Sequence, residues 1–581
     1  MPRLRLALAQ TNPILGDLTG NAAQVLEAAK RSAAAGADIL AVGEMALSGY
    51  PIEDLAARPS FLHDCHEAVV VLAKQLQDAG LGDLVVVVGH PDGPFEPRLL
   101  GTSNAPTAIA MNRASVLQHG HIKAQYAKHH LPNYSVFDEY RVFIPGDELL
   151  VLRIKGADVA LIICEDLWRD GGPVARVLEA DAGLLLVINA SPFERDKDET
   201  RLPLVTRRAQ ETDTIVAYVN IVGGQDDLVF DGDSVIVDGT GTILARAPQW
   251  ETHLLVTDLD VAPATEAELP SNVNRVTLAD SAALSDRAEQ KPLPADVHEL
   301  PDDRQQVWNA LVLGLRDYVE KNGFPSVVLG VSGGIDSSVV AAIAADAVGA
   351  DRVYGIAMPS RYSSGGSVDD ASELAERIGF HYSVQPIADL VSPIEEQLHL
   401  TGVAAENIQA RIRGMIWMAE SNLHGHLALT NGNKTEISVG YSTIYGDSAG
   451  GFAPIKDVPK TLVWELARWR NEFAISHGET PPIPVNSIEK PPSAELRPGQ
   501  VDQDTLPPYE LLDAILDAYV TRNLGREDVV ALGFEKETVD FVTRLVDHAE
   551  WKRRQGAIGP KISGIAFGRD RRLPITYRPN L

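Results

Sequence analysis

The segment Gly330–Val340, GVSGGIDSSVV, constrains the fold more than any other stretch of this chain. It lies between an apolar, β-branched run, SVVLGV, and an alanine-rich run, SSVVAAIAADAVGA, that is long enough for a helix. A strand that turns through adjacent glycines into a helix predicts a unit of α/β structure, with the backbone N–H groups of the helix N-terminus aimed at an anion. A phosphate-cradling turn needs glycine where the backbone approaches its ligand, and hydroxyl and N–H donors around it. Gly330, Val331, Ser332, Gly333, Gly334, Ile335, Asp336 and Ser337 are the candidate phosphate-binding loop. The lysine of a Walker A loop is missing, and Asp336 is instead a carboxylate able to hold a phosphate-bound magnesium ion. A plain capped helix would use Asp336 and Ser337 without any ligand.

The rest of the chain divides around this motif. Its 581 residues exceed one ordinary hydrophobic core and predict two or three domains. Up to about Leu259, strand-like runs (DILAVG, DLVVVVG, DVALIIC, GLLLVINA) alternate with helical patterns such as AAQVLEAAKRSAAAG, an α/β layout. Residues 263–300 carry APATEAELPSN and DRAEQKPLPADVHEL, rich in proline and acid as a linker is. We therefore expect one α/β domain over 1–262, a linker over 263–300, and a mostly parallel α/β domain over 301–581. Lys and Arg total 51 against 80 Asp and Glu, a formal charge of -29 that repels nucleic acid and anionic lipid. Two cysteines, Cys65 and Cys164, are too few for a disulfide framework. The opening MPRLRLALAQ alternates rather than forming a signal-peptide core, and no apolar run reaches membrane-spanning length, so a cytoplasmic protein is expected.

In the first half, Cys164 follows DVALII and stands at the C-terminal end of a buried strand, where α/β sites form. Glu44 in GEMALSGYP and Lys128 in YAKHHLPNY complete a workable amidase set. A thiolate attacks the amide carbon, a lysine ammonium lowers the thiol pKa and stabilises the oxyanion, and a glutamate moves protons. The string HDCH, from His63 to His66, has ligand-like spacing but no second ligand pair beside it.

SGGIDSS after an apolar strand resembles the pyrophosphate loop of the ATP pyrophosphatases, which activate a carboxyl or carbonyl oxygen as an adenylate. ENIQARIRG, LTNGNKTEISVGYSTIYGD and WKRRQGAIGPKISGIAFGRDRRLPIT extend the resemblance to the NAD synthetases over the whole second half. That resemblance implies a Rossmann-like parallel α/β fold, ATP contacts at Asn431 and Lys460, and contacts to the dinucleotide substrate at Asn407, Glu436 and Lys552. It also implies Mg2+ held by Asp336 and Glu436. Where the family usually carries a second threonine, this chain has Asn431, whose longer amide alters the contact. The cluster Lys552, Arg553, Arg554, Lys561, Arg569, Arg571 and Arg572 is expected to clamp a pyrophosphate.

The first half, with VFDEYRVFIPGD and NASPFERDK, resembles the nitrilase superfamily. This implies an α-β-β-α sandwich, a catalytic set of Glu44, Lys128 and Cys164 with Glu139 positioning it, and a glutamine pocket lined by Tyr134, Ser191 and Lys197. An ammonia-making half and an ammonia-consuming half together resemble the glutamine-dependent NAD synthetases. The implied substrates are glutamine, ATP and nicotinic acid adenine dinucleotide, and the expected partner is a further copy of the chain. Asparagine- or GMP-synthetase types are the enzymatic alternatives, but Pro2 follows Met1 and no cysteine lies between glycines as their amidases require. A synthetase using free ammonia, fused to an inactive nitrilase-like scaffold, is the other alternative.

Overall fold

A computed structural model of the chain describes residues 2–93, 98–99, 106–107, 110–266, 269–278 and 293–577. It separates into two compact units, one of Met1–Gln225 with Phe230–Leu300 and one of Asp226–Val229 with Pro301–Leu581.

The first unit is built on two sheets. One runs, edge to edge, His253–Asp260, Arg3–Gln10, Ile39–Val42, Val85–Asp92, Met111–Gln118 and His121–Ala127. Successive residues of its central strands point to opposite faces, and both faces are buried. Leu4, Leu6, Leu8, Ile39, Ala41, Val85 and Val87 face the second sheet. Ala7, Ala9, Leu40, Val42, Val86 and Val88 face the helices Leu18–Ala34 and Pro59–Asp78. This two-sided burial explains why these strands read as unbroken apolar runs. The second sheet has seven strands, with Ala157–Ile163, Leu184–Asn189 and Ile215–Asn220 parallel at its centre. Helices Gly172–Glu179 and Asp198–Thr212 pack beside it, giving the expected α-β-β-α sandwich. Within the proline-rich stretch, Val273–Thr277 forms a strand that pairs in parallel with Leu149–Ile154. The rest of that stretch at 267–268 and 279–292 lies outside the described residues.

The second unit holds a parallel sheet in the order His381–Val384, Val353–Ala357, Val327–Gly330, Leu427–Ala428. Chain order reverses direction between the last two strands, and in such sheets ligands bind beyond the strand C-termini at that switch point. The loops leaving it are Val331–Gly334 and Leu429–Gly432, both of which carry candidate site residues. Among the described residues no helix is long and apolar enough to cross a membrane.

Candidate active sites

Cys164 ends the strand Ala157–Ile163 and opens the short helix Glu165–Trp168. Its φ is 44°, a left-handed conformation that costs a non-glycine residue roughly 1–3 kcal/mol and persists only where the surroundings fix it. Cys164 N–H donates to Ile188 O at 3.0 Å. The buried carboxylate of Asp166 accepts from Ile163 N–H at 3.2 Å, Tyr126 Oη at 2.7 Å, and the N–H groups of His129 and His130 at 3.1 and 2.7 Å. Asp166 thereby fastens the loop after Lys128 to the turn that carries the thiol. Burial raises its pKa to about 6.

The buried Lys128 ammonium donates to Glu44 Oε1 at 2.7 Å and Glu139 Oε1 at 2.9 Å. Glu44 also accepts from Asn112 Nδ2 at 2.6 Å and Ala190 N–H at 3.0 Å, while Tyr50 Oη donates to Glu139 Oε1 at 2.8 Å. Burial works against the charge on Lys128, but Glu139 and Glu44 together outweigh it and hold its pKa well above the ordinary value. Burial pushes Glu139 up to about 7, against the pull of Lys128. The thiol departs from the sequence expectation. Burial, reinforced by Glu44, raises the Cys164 pKa well above the usual cysteine value, and Lys128 lowers it too little to prevail.

Tyr134 is 46% exposed and donates to Glu165 Oε2 at 2.9 Å, with the Arg169 guanidinium 5.5 Å above its ring. Ser191, buried two residues beyond the strand Leu184–Asn189, donates its N–H to Asn220 Oδ1 at 2.9 Å. Lys197 Nζ donates to Pro192 O at 2.6 Å, and burial lowers its pKa to about 8. Both Tyr134 and Lys197 lie within electrostatic reach of Cys164.

In the second unit a cavity of about 330 Å³ opens at the switch point. Gly330, Val331, Ser332, Gly334, Ile335, Asp336 and Ser337 line it, as do Asn431, Glu436, Lys460 and Lys552. The helix Ile335–Val348 starts at Gly334, so its first N–H groups face this space. Gly333 turns its back on the cavity: its φ is +72°, and an added Cβ would lie 2.2 Å from Ser367 O. Gly333→Ala is therefore expected to distort the loop and cost about 1–3 kcal/mol of stability. Chemical denaturation checks the stability.

Lys460, buried, pairs with Asp336 and lies 3.4 Å from Glu436 Oε1. Asn433 Nδ2 donates to Asp336 Oδ1 at 2.9 Å. Burial, with Asp336 and Asp502 adding to it and Lys460 opposing, pushes Glu436 up to about 8. Asn431 Nδ2 donates to Gly330 O at 2.8 Å, while its buried Oδ1 has no hydrogen-bond partner. Lys552 Nζ donates to Gly440 O and Ser442 O at 2.8 and 2.9 Å.

Two family models divide the chain between them. One described as Carbon-nitrogen hydrolase matches residues 5–268, and one described as NAD synthase matches residues 307–556. Over 589 residues the chain is 41% identical to the glutamine-dependent NAD(+) synthetase of Aquifex aeolicus, with 99% of each covered. The chain belongs to the glutamine-dependent NAD(+) synthetase family. The member from Thermotoga maritima is 42% identical, covering 100% of this chain and 99% of its own. The solved structure of the glutamine-dependent NAD+ synthetase from Acinetobacter baumannii in complex with adenosine diphosphate is 37% identical, with a TM-score of 0.72 over 99% of this chain and 98% of that one.

Some features expected of a member of this family are absent from the cavity. Asn407 is not in its wall; it accepts from Thr443 Oγ1 at 2.8 Å. The C-terminal cations do not gather into a clamp. Arg553 and Arg554 both bond Glu550, Lys561 bonds Ser563 O, and of the seven only Lys552 and Arg553 reach the wall. Arg413, Lys456, Lys460 and Lys490 also line it, from parts of the sequence outside that basic run. In the first unit, sequence reasoning also missed Asp166, Asn112 and Tyr50. Asp166 had a signal, since a charged residue two after a strand-end cysteine must find buried partners; Asn112 and Tyr50 had none.

Proposed function

We propose that this chain makes NAD by amidating nicotinic acid adenine dinucleotide, with glutamine as nitrogen donor and cleavage of ATP to AMP and pyrophosphate. The observation that carries this is full-length similarity: a carbon–nitrogen hydrolase half and an NAD synthase half occur in one chain, in the same order and extent as in its relatives.

In the first unit, Cys164 Sγ attacks the glutamine amide carbon as Glu44 takes the thiol proton. Lys128, kept charged by its two carboxylates, faces the developing oxyanion. Glu44 returns the proton to the departing ammonia, then activates water to hydrolyse the thioester. Glu139 and Asn112 hold Lys128 and Glu44 in place. Tyr134, Ser191 and Lys197 are assigned to the glutamine, the ammonium of Lys197 to its carboxylate.

In the second unit, the nicotinate carboxylate attacks the α-phosphorus of ATP and pyrophosphate leaves; ammonia then attacks the adenylated carbonyl and AMP leaves. The loop Gly330–Ser337 and Lys460 are assigned to the phosphates, Asn431 to ATP, and Glu436 and Lys552 to the dinucleotide. Asp336 and Glu436 converge on one ammonium, a pair of oxygen donors suited to a hard divalent cation. They would hold Mg2+, which when bound supplies charge neutralisation to the phosphates.

Asn431→Thr is expected to leave folding intact and to shift the KM for ATP by roughly two- to tenfold, because it removes the amide that reaches Gly330 O. An unchanged KM would remove Asn431 from the ATP site. We expect the active form to be a cytoplasmic homo-oligomer; light scattering on purified protein tests the assembly, and a single-chain mass would overturn it. The function is tested by incubating the protein with glutamine, ATP, Mg2+ and the deamido dinucleotide. NAD and AMP should accumulate in equal amounts, and neither should form without the dinucleotide.

A further inference from the structure

At the start of the edge strand His253–Asp260, the imidazole of His253 meets the side chains of Asp296 and His298. Asp296 and His298 lie in an extended segment that bridges in parallel to Arg246 through Val297. Arg246 N–H donates to Asp296 O at 2.8 Å and His298 N–H to Arg246 O at 3.0 Å. Residues two apart in an extended chain project to the same side, so Asp296 and His298 point together and Val297 points away. His253 Nε2 lies 3.4 Å from Asp296 Oδ2, and His298 Nε2 lies 3.0 Å from Asp296 Oδ1. All three donor atoms lie within 4.8 Å of one another. The two imidazole rings meet edge to face, 5.4 Å between centroids. His253 Nε2 is shut away from solvent and has no hydrogen-bond partner.

We propose that His253, Asp296 and His298 bind a Zn2+ ion. Imidazole nitrogen and carboxylate oxygen bind zinc at about 2.0–2.2 Å, which places the corners of a tetrahedron about 3.3 Å apart. The separations of 3.0 and 3.4 Å, one to each oxygen of the Asp296 carboxylate, are of that order. Two imidazoles and one carboxylate suit a borderline transition ion, whereas Mg2+ and Ca2+ require mostly oxygen. The partly exposed position of His298 leaves a fourth corner for water. The ion would do structural work. His253 begins an edge strand of the six-stranded sheet, while Asp296 and His298 are tied to Arg246, on an edge strand of the seven-stranded sheet. Zinc here would join the edges of the two sheets that form the sandwich, apart from the amide chemistry at Cys164.

The test is calorimetric titration of Zn2+ into untagged, full-length, chelator-stripped protein in a Cys164→Ala background, which removes the reactive thiol as a competing ligand. One Zn2+ should bind per chain, raise the melting temperature, and resist displacement by millimolar Mg2+. His253→Ala and His298→Ala should each weaken binding at least about tenfold and abolish the thermal shift. Co2+ in place of Zn2+ should give visible bands of a four-coordinate ion that vanish in both variants. His298 is the more exposed of the two histidines, so its variant keeps the test decisive if His253→Ala folds poorly. Absence of binding, or unchanged affinity in His298→Ala, would overturn the site.

Discussion

Cys164→Ala is expected to lower NAD formation from glutamine by at least about 10³-fold while leaving formation from ammonium salt within about twofold. Sulfur is needed to form the thioester with glutamine, whereas ammonia supplied directly needs no covalent activation. The substitution should also be tolerated structurally. It removes one sulfur from a buried position, and the left-handed turn is held by backbone and Asp166 bonds that do not involve Sγ. Measuring both nitrogen sources on one preparation separates loss of chemistry from loss of folding. Retained use of glutamine would eliminate Cys164 as the nucleophile. Loss of both activities in a folded variant would mean that the two halves are not chemically separable.

Asp336→Asn should behave in the opposite way, lowering synthesis from glutamine and from ammonium alike by roughly 10²–10³-fold. Asp336 is the closer of the two carboxylates to the buried Lys460. Asparagine keeps the shape and the Asn433 contact but removes the charge that pairs with this ammonium. Glutamine hydrolysis in the first unit should continue, and affinity for the deamido dinucleotide should change much less than the turnover rate. Pre-steady-state pyrophosphate release measures the adenylation step directly. Equal losses in dinucleotide affinity and in turnover would count against placing Asp336 at the phosphates.

The contrast between these variants follows the division of labour that the sequence displays. The placement of Glu44 and Cys164 just past buried strands was legible because each follows an apolar run, whereas Lys128 follows the partly exposed edge strand His121–Ala127. The glycine turn was legible because only glycine takes the backbone of Gly333 past Ser367 O. The protonation state of the thiol was not. It depends on how burial competes with Glu44 and Lys128, a balance set by packing between segments far apart in sequence. The cationic wall was misjudged for a related reason. A run of basic residues suggests one patch, but Arg553 and Arg554 turn to Glu550 while Arg413, Lys456 and Lys490 converge from separate elements. Composition marked residues 263–300 as irregular, yet the β-branched positions of Val273–Thr277 suffice to add a strand to a sheet edge.

The central claim, that the amide nitrogen of glutamine is transferred through an adenylate, is tested most directly by supplying glutamine labelled with 15N at the amide. NAD should carry the heavy nitrogen in its carboxamide, with AMP and pyrophosphate released in equal amounts to it. Unlabelled NAD, or release of ADP and phosphate instead, would contradict it.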